Sequence, residues 1–454
     1  MVKELLLEQN QYFETGVTRP VAFRIQQLEL LKSAIEANEA LILEALYKDL
    51  GKSAFEGYAT EVGYVLSSIR HTIKNVKSWA QDRKVKTPLF LPFSKGVVKW
   101  EPLGKVLVVA PFNYPFQLLI EPLIGAIAAG NTVVLKPSER TPNTEAIVQK
   151  IMSETFPKSY VAVVTGDRTV MNELIHAPFD HIFFTGSDTV GRIVMRAAAE
   201  HLVPVTLELG GKSPVIVHED AELELAARRI VWGKFLNAGQ TCIAPDYVYV
   251  HEAVEHKFLE YVGQTLVDFF GGLPQKSPDY GRIVNEASVE RLADLLDHSK
   301  VISGGQYDVS SRYMAPTVMK GVTWEDQVMA GEIFGPILPV MTYSDLEAVI
   351  EAIRQRPKPL AFYVFSESET VQAHLIENVS FGGGCVNDTI SHLISPDMPF
   401  GGVGNSGMGA YHGFDSFKTF SHEKSVLYRS SKYDMKLLYP PYGNRLGWIK
   451  KVLK

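Results

Sequence analysis

Cysteine is scarce in this sequence. Among 454 residues there are two cysteines, Cys242 and Cys385. So few cysteines exclude a disulfide framework as the main stabilising device, and a reducing, cytoplasmic location is the simplest expectation. Because the two lie far apart, they also lack the close ligand spacing of structural zinc sites. Cys385 follows three glycines, and we expect it to be a structural thiol.

Long apolar runs and targeting segments are also absent. The most apolar region, residues 106–135, is interrupted by prolines and polar side chains. It therefore contains no uninterrupted run of about 20 apolar residues, and no membrane-spanning helix is predicted. Residues 1–16 carry charges within their apolar stretch and end in no small-residue cleavage site, so we expect no signal peptide.

Neither sign of charge dominates. Lysine and arginine together number 45 and aspartate and glutamate 51, for a formal net charge of −6. This balance gives no reason to expect a nucleic-acid partner. A composition of 46% hydrophobic and 21% charged residues is typical of a packed globular protein. The length predicts two or three domains.

Short β-rich runs alternate with helical patterns in the first half of the chain. The β-rich runs are residues 105–110, 132–136, 161–165 and 181–184, and the helical patterns between them are residues 117–129, 143–154 and 168–175. Such alternation predicts a parallel sheet that is covered by helices on both faces. A ligand is then expected at the carboxyl ends of the strands.

A second alternating region begins near residue 207 and predicts a second α/β domain. Its apolar runs are residues 213–218, 247–251, 337–342 and 360–365, with a helical pattern over residues 221–236. Nearer the N-terminus, residues 21–50 and 58–79 have helical spacing of apolar residues. Residues 85–100 contain prolines and glycine among short apolar runs, which indicates a turn-rich hairpin.

Cys242 lies in the segment NAGQTCIAPDYV, in which Gly239 and Gln240 precede it. A lone cysteine is usually a small buried hydrophobic residue. Here glycine precedes it and a strand pattern follows, which indicates a loop with room for close approach of a ligand. The thiolate of such a cysteine is a strong nucleophile toward a carbonyl carbon.

Two polar residues at strand ends could assist this nucleophile. Glu208 stands among apolar residues before two glycines. It is either an ion-paired or capping residue, or a general base whose pKa is raised in a dry site. Asn113 follows the first strand of the first sheet. It is either a turn residue or a side-chain amide donor to an oxyanion.

Cofactor signals are individually weak. Gly186, Ser187 and Gly191 lie in FFTGSDTVG, a strand, turn and helix start whose free N–H groups could hold a pyrophosphate. Lys136 and Glu139 follow another strand and could bind ribose hydroxyls, although a surface lysine has the same pattern. The segment EIFGP, which contains an acid, an aromatic residue and a Gly-Pro pair, indicates by itself only a turn.

Taken together, these motifs resemble one family. PFNYP, KPSE, FTGSxxVG, LELGGKSP, GQTC, EIFGP and PFGGVGNSGMG occur in this order. Their order and spacing are similar to those of the NAD(P)-dependent aldehyde dehydrogenase superfamily, over about residues 24–424. The short N-terminus and the segment YHGFDSFKTFSHEKS resemble the class 3 branch, which acts on medium and long aliphatic or aromatic aldehydes.

The resemblance implies a role for each motif residue. Cys242 matches the nucleophile that forms a thiohemiacetal and then a thioester, Glu208 the base that activates the deacylating water, and Asn113 an oxyanion donor. The mechanism requires no metal. The implied cofactor contacts are Lys136, Glu139, Gly186, Ser187, Gly191, Glu332 and Phe334. The implied candidates for contact with the aldehyde are Tyr64, Tyr114, Leu118, Thr241, Leu393, Phe400 and His412.

The resemblance also implies an α/β architecture. A Rossmann-type cofactor domain would comprise residues 1–80 and 103–208, and an α/β catalytic domain residues 209–409. An antiparallel bridging element would comprise residues 81–102 and 410–454, and its exposed strand edge predicts a homodimer. The expected cofactor is NAD, because Glu139 would repel a 2′-phosphate, with NADP as an alternative that class 3 relatives also use.

Several alternatives stay open. A branch that transfers its acyl group to coenzyme A usually lacks the glutamate that Glu208 matches. A cysteine hydrolase would need a histidine partner, and a non-catalytic lens-type relative would have lost the cysteine or the glutamate. Residues 445–454 are basic and aromatic. They form a subunit-docking tail, a tail without fixed structure, or a weak contact with an anionic membrane surface.

Overall fold

Helices and strands alternate through most of the computed structural model, which describes residues 2–88, 91 and 93–453. The helices α1 to α16 are, in chain order, Val2–Glu14, Val21–Ala37, Glu39–Leu50, Ala54–Gly57, Gly63–Trp79, Gln117–Ala129, Pro142–Thr155, Arg168–Ile175, Asp188–Ala199, Leu223–Phe235, Glu255–Phe270, Glu286–Ala293, Leu346–Arg354, Glu369–Asn378, Gly413–Thr419 and Leu446–Val452. A π-helix, Tyr58–Val62, lies between α4 and α5. The strands β1 to β18 are Arg83–Val85, Ser94–Pro102, Lys105–Val109, Thr132–Lys136, Val161–Val163, His181–Thr185, Val205–Glu208, Pro214–Val217, Tyr247–His251, Val301–Ser303, Tyr307–Asp308, Tyr313–Met314, Thr317–Lys320, Ile337–Tyr343, Ala361–Phe365, Gly383–Val386, Gly407–Met408 and Ser421–Arg429.

The first sheet has the strand order β17-β7-β6-β3-β4-β5. All of its neighbouring strands are parallel except β17, which pairs antiparallel with β7. Strands β3, β4 and β6 are runs of valine, leucine, isoleucine and phenylalanine that are almost entirely buried. Such runs are expected where helices cover both faces of a parallel sheet, and the predicted sheet is therefore confirmed.

The second sheet has the order β10-β13-β14-β9-β8-β15-β16 and is parallel except at the β10–β13 pair. A third, antiparallel sheet has the order β1-β2-β18. In it, β18 pairs with β2 from Ser421 opposite Pro102 to Arg429 opposite Ser94. The predicted hairpin is thus formed by β1 and β2, although positions 89, 90 and 92 of its turn lie outside the described residues.

One predicted helix is two helices. The helical pattern over residues 21–50 is divided between α2 and α3 at Asn38. The Asn38 side chain donates to the Ala34 carbonyl (2.9 Å), and its backbone N–H donates to the Ile35 carbonyl (3.1 Å). Asparagine competes for backbone hydrogen bonds in this way and ends a helix even where the apolar pattern continues.

Segments from different predicted domains meet in the first sheet. Strand β17, from the predicted catalytic region, pairs with β7. Helix α15, from the predicted bridging region, packs so closely on α6 that a Cβ on Gly125 would lie 2.7 Å from Ser416 Cβ. The division into domains stays a prediction.

The C-terminal region beyond β18 is largely exposed, and its last helix, α16, is seven residues long. In residues 2–88, 91 and 93–453, no helix combines the length and the apolar character that a bilayer crossing requires. The contact of this tail with a membrane or a second subunit stays a prediction.

Candidate active site

Two of the predicted catalytic residues lie at the carboxyl ends of strands, and the third, Cys242, lies in the segment between α10 and β9. Asn113 lies between β3 and α6, and Glu208 is the last residue of β7. Cys242 follows a tight turn in which Asn237, Ala238 and Gly239 all have positive φ values of 52°, 50° and 76°. A Cβ on Gly239 would lie 2.3 Å from the Gly335 carbonyl oxygen, so only glycine allows this close approach.

Hydrogen bonds hold the Asn113 loop against the Cys242 loop. The Asn113 side-chain nitrogen donates to the Gln240 carbonyl oxygen (3.0 Å), two residues before Cys242. The Gln240 side chain in turn donates to the Asn237 and Arg282 carbonyls, both at 3.0 Å, and accepts from the Val284 N–H (2.9 Å). The backbone around the thiol is therefore fixed by its own loop and by the second half of the chain.

Cys242 and Glu208 line the same cavity, which has an empty volume of about 1000 Å³. All seven residues predicted to contact the aldehyde also line it, namely Tyr64, Tyr114, Leu118, Thr241, Leu393, Phe400 and His412. Further lining residues, which the sequence did not indicate, are Ala59, Thr60, Gln117, Thr185, Leu209, Trp232, Leu236, Ile243, Leu360, Ile390, Ile394 and Tyr411. Most of these side chains are apolar, so the cavity suits an apolar molecule.

Polar groups in the wall of the cavity bond to one another. The Tyr114 hydroxyl and the Thr241 hydroxyl are 2.6 Å apart. The Tyr64 hydroxyl donates to the Leu393 carbonyl (3.2 Å) and lies 3.3 Å from His412 Nε2. The Glu208 carboxyl group and the Cys242 thiol, which also line the cavity, take no part in these pairings.

The Glu208 carboxylate is buried without a partner. The residue is 2% exposed, and neither of its oxygens has a hydrogen bond to any described residue. Burial raises the pKa of Glu208 well above the ordinary value of a carboxyl group. A carboxylate with a raised pKa is a stronger base than an ordinary carboxylate, which suits a general base.

The Cys242 thiol is held in its protonated form. Burial, followed in importance by the carboxylates of Glu332 and Glu208, raises the pKa of Cys242 to about 12. The backbone N–H groups of Cys242 and Ile243 act in the opposite direction. The thiol therefore has to lose its proton before it can act as a nucleophile.

A second cavity, with an empty volume of about 1270 Å³, is lined by Ser187, Gly210, Gly211 and Glu332, among others. Ser187 caps the N-terminus of α9, where its hydroxyl accepts from the Val190 N–H (3.4 Å). A Cβ on Gly210 would lie 2.0 Å from Glu332 Oε2. Glu332 Oε1 is buried and has no hydrogen-bond partner among the described residues. An unsatisfied acceptor beside a helix N-terminus fits the hydroxyl and phosphate groups of a dinucleotide.

The other predicted cofactor residues do not line this cavity. Lys136 is 3% exposed, donates to the Pro137 carbonyl (2.7 Å) and pairs with Glu139 at 3.5 Å. Phe334 has a positive φ of 49° and packs edge to face against Phe112, with ring centroids 5.7 Å apart. Gly186 and Gly191 are close to neighbouring side chains, and a Cβ on either would lie 2.6 Å from a side-chain atom.

Comparison with known proteins agrees with this geometry. The sequence profile of the Aldehyde dehydrogenase family matches residues 8–426 of the chain. The chain belongs to the aldehyde dehydrogenase family.

Individual relatives match almost the whole chain. The 4,4'-diaponeurosporen-aldehyde dehydrogenase of Staphylococcus aureus (strain NCTC 8325 / PS 47) is 50% identical over 456 residues, which cover 100% of this chain and 99% of the relative. The dimeric NADP-preferring aldehyde dehydrogenase of Rattus norvegicus is 46% identical over 442 residues, which cover 97% and 98%. Aldehyde dehydrogenase family 3 member A2 of Macaca fascicularis is 44% identical over 443 residues, which cover 97% and 91%.

A solved structure has the same fold. The substrate-bound state of Staphylococcus aureus AldH superposes with a TM-score of 0.99 at 49% identity, and the match covers all of both chains. The predicted fold class and the resemblance to the class 3 branch are confirmed. The protein is an oxidoreductase that acts on aldehydes and uses NAD(P), so it is not a non-catalytic relative.

The raised pKa of the thiol predicts how its reactivity depends on pH. In the absence of cofactor, alkylation of Cys242 by iodoacetamide should accelerate roughly tenfold per pH unit between about pH 6 and pH 9, because the thiolate fraction rises tenfold per unit below the pKa. Peptide mass mapping measures the rate at Cys242, and Cys242→Ser provides the background from Cys385. A plateau near pH 8.5, where an ordinary thiol is half ionised, would contradict the raised pKa.

Proposed function

We propose that this enzyme oxidises a hydrophobic aldehyde to a carboxylic acid through a thioester on Cys242, which water hydrolyses with Glu208 as the base. One observation carries the proposal. The Cys242 thiol and an unpaired, buried Glu208 carboxylate line one apolar cavity. The Asn113 amide, bonded to the Gln240 carbonyl, stands at the loop that carries the thiol.

In the first step the Cys242 sulfur attacks the aldehyde carbon. The thiol releases its proton to solvent, a carbon–sulfur bond forms, and the carbonyl oxygen becomes an anion. Asn113 has one amide proton that is not used toward Gln240, and this proton and the Cys242 backbone N–H would bind the oxyanion. Loss of one such donor typically slows a reaction by about 10²–10³.

The residues around the second cavity are those that would hold the cofactor. A nicotinamide dinucleotide held there would supply the hydride acceptor, and Cys242 would then carry the acyl group as a thioester. Glu332 offers an unsatisfied carboxylate oxygen to a ribose hydroxyl, and Ser187 stands at the N-terminus of α9. We propose NAD as the cofactor, because the Glu139 carboxylate would repel a 2′-phosphate. NADP is the alternative, because Lys136 pairs with Glu139 and balances its charge.

In the last step Glu208 removes a proton from a water molecule. The water oxygen attacks the thioester carbon, the carbon–sulfur bond breaks, and the carboxylic acid leaves with the Cys242 thiolate restored. The Glu208 oxygens have no hydrogen-bond partner in the part of the chain that the structure describes, and this supports the role, because a base that is already hydrogen-bonded would not be free to hold water. Burial raises the pKa of Glu208, and the raised pKa makes its carboxylate a stronger base toward water.

The proposed substrate is an apolar aldehyde with an extended chain. The outer part of the cavity includes Trp232 and Ile394, which are 39% and 61% exposed. Exposed apolar groups at a cavity entrance can cover a substrate chain that is longer than the cavity. The Staphylococcus aureus relative is named for 4,4'-diaponeurosporen-aldehyde, and this aldehyde belongs among those to be tested.

Acyl transfer to coenzyme A is the closest alternative reaction, because it shares the first half of the mechanism. Glu208 favours hydrolysis, since a carboxylate in the cavity can activate water. We also propose a homodimer, because the nine-residue strand β18 lies at the edge of the antiparallel sheet and, among the described residues, pairs on one side only.

Replacement of Glu208 by glutamine should separate the two halves of the reaction. Glu208→Gln should form up to one equivalent of reduced cofactor per subunit with decanal, then turn over about 10²–10³ times more slowly than the wild type, because general-base assistance is lost. Stopped-flow absorbance at 340 nm measures the burst and the steady state.

Coenzyme A is the control in this experiment. If the thioester is hydrolysed, the wild-type enzyme should turn over without coenzyme A, and adding coenzyme A should not change its rate. A wild-type enzyme that turns over only with coenzyme A would assign it to the acylating branch. A Glu208→Gln variant with wild-type steady-state turnover would refute the role of Glu208 as base.

A charge at the cavity entrance should discriminate between aldehydes by length. Ile394→Glu should raise KM for decanal by roughly tenfold, because the long chain loses the binding free energy of about one apolar contact. KM for propanal, which is too short to reach this position, should not change. Met398→Glu is the matched control, since Met398 is 48% exposed and does not line the cavity. Equal KM changes for both aldehydes would show that long substrates do not use this entrance.

A further inference from the structure

Lys52 and Glu61 form an ion pair that is fully buried. The side chains are both 0% exposed, and Lys52 Nζ lies 2.5 Å from Glu61 Oε1. Lys52 precedes α4, and Glu61 belongs to the π-helix Tyr58–Val62. A π-helical turn shifts the side-chain direction within a helical segment, and such turns often occur at functional sites. Neither residue lines the two cavities described above.

The Lys52 ammonium group makes two hydrogen bonds and one cation–π contact, and two of the three partners, Asn113 and Tyr114, belong to the Asn113 loop. Besides Glu61, it donates to the Asn113 carbonyl oxygen (2.9 Å) and lies 4.0 Å from the centre of the Tyr114 ring. The Asn113 carbonyl also accepts from the Asn237 side chain (2.8 Å). The backbone of Asn113 is thus held from two directions, by a charge and by the loop that carries Cys242.

Glu61 holds the other end of the same loop. Its Oε2 accepts from the backbone N–H groups of Phe116 (2.9 Å) and Gln117 (3.2 Å), where α6 begins. A carboxylate at a helix N-terminus satisfies free N–H groups and is stabilised by the helix dipole. The Lys52–Glu61 pair therefore connects the carbonyl of Asn113 to the start of α6 and fixes the loop between them.

Burying two charges costs desolvation energy that often exceeds their mutual attraction. A contribution to the stability of the fold is therefore a weak explanation for a buried pair such as Lys52–Glu61. We propose that Lys52 and Glu61 are positioning residues that set the Asn113 side-chain amide at the oxyanion of the reaction. This inference rests on the proposed oxyanion role of Asn113. The charge pair acts through the backbone of Asn113 and does not touch the substrate.

The test is a double-mutant cycle on the rate of reduced-cofactor formation in a single turnover. Lys52→Met/Glu61→Gln removes both charges together, so that no unpaired buried charge is left to unfold the protein. In the wild-type background this double substitution should slow the burst by roughly 10- to 100-fold, as expected for a donor displaced by a fraction of an ångström to about 1 Å. In an Asn113→Ala background the same substitution should slow the burst by less than about twofold, because the amide that it positions is already absent.

The controls separate positioning from general damage. Cofactor affinity, measured by fluorescence titration, and the alkylation rate of Cys242 should not change in Lys52→Met/Glu61→Gln. Lys300→Met is the matched control. It removes the Lys300–Asp326 ion pair (2.7 Å), which is distant in sequence from the Asn113 loop. The burst rate of this variant should equal that of the wild type.

Two results would overturn the inference, and they are distinguishable. Equal losses from Lys52→Met/Glu61→Gln in both backgrounds, with a slow Asn113→Ala enzyme, would leave the oxyanion role intact and reject positioning. An Asn113→Ala enzyme with a wild-type burst would reject the oxyanion role in the proposed function and the positioning role together.

Discussion

Burial of charged and ionisable groups around the loops that carry Asn113 and Cys242 is the constraint on which the site depends. Where a buried charge has a full set of partners, as in the Lys52–Glu61 pair, it fixes backbone. Burial raises the pKa of Glu208 and Glu332, and the oxygens of Glu208 and Oε1 of Glu332 have no hydrogen-bond partner among the described residues, so both groups are ready for a proton or a ligand. Cys242 lies in the field of those two carboxylates, and the proposed chemistry follows from that placement.

Much of the fold could be predicted because its central elements have clear local patterns. Helix α6 has the predicted bounds, and the first-sheet strands lie within a residue or two of theirs, since apolar runs between turn residues mark buried parallel strands. The division at Asn38 was missed because its cause is a side-chain hydrogen bond. The two-residue strand β17 carries no local signal, because it forms only by pairing with β7.

The candidate site was predictable from the residues whose loops have unusual composition. Glycines near Cys242 and Glu208 in the sequence indicated that both residues lie in unusual loops. The family resemblance supplied the residues expected to contact the aldehyde, and all of them line one cavity. Lys52 and Glu61 were missed, because two opposite charges nine positions apart resemble a solvated helix surface. Their burial is produced by long-range packing against the Asn113 loop, and the sequence contains only one weak hint of it, the glycine before Lys52.

The most direct test of the account is to trap the covalent intermediate. Glu208→Gln would be mixed with an aldehyde and NAD, quenched in acid within the burst, digested and analysed by mass spectrometry. The account predicts a mass increase equal to the acyl group on the peptide that contains Cys242, lost on treatment with hydroxylamine and absent when the cofactor is omitted. Reduced cofactor and free acid formed in this variant with no acyl group on Cys242, or with the acyl group on Cys385, would contradict it.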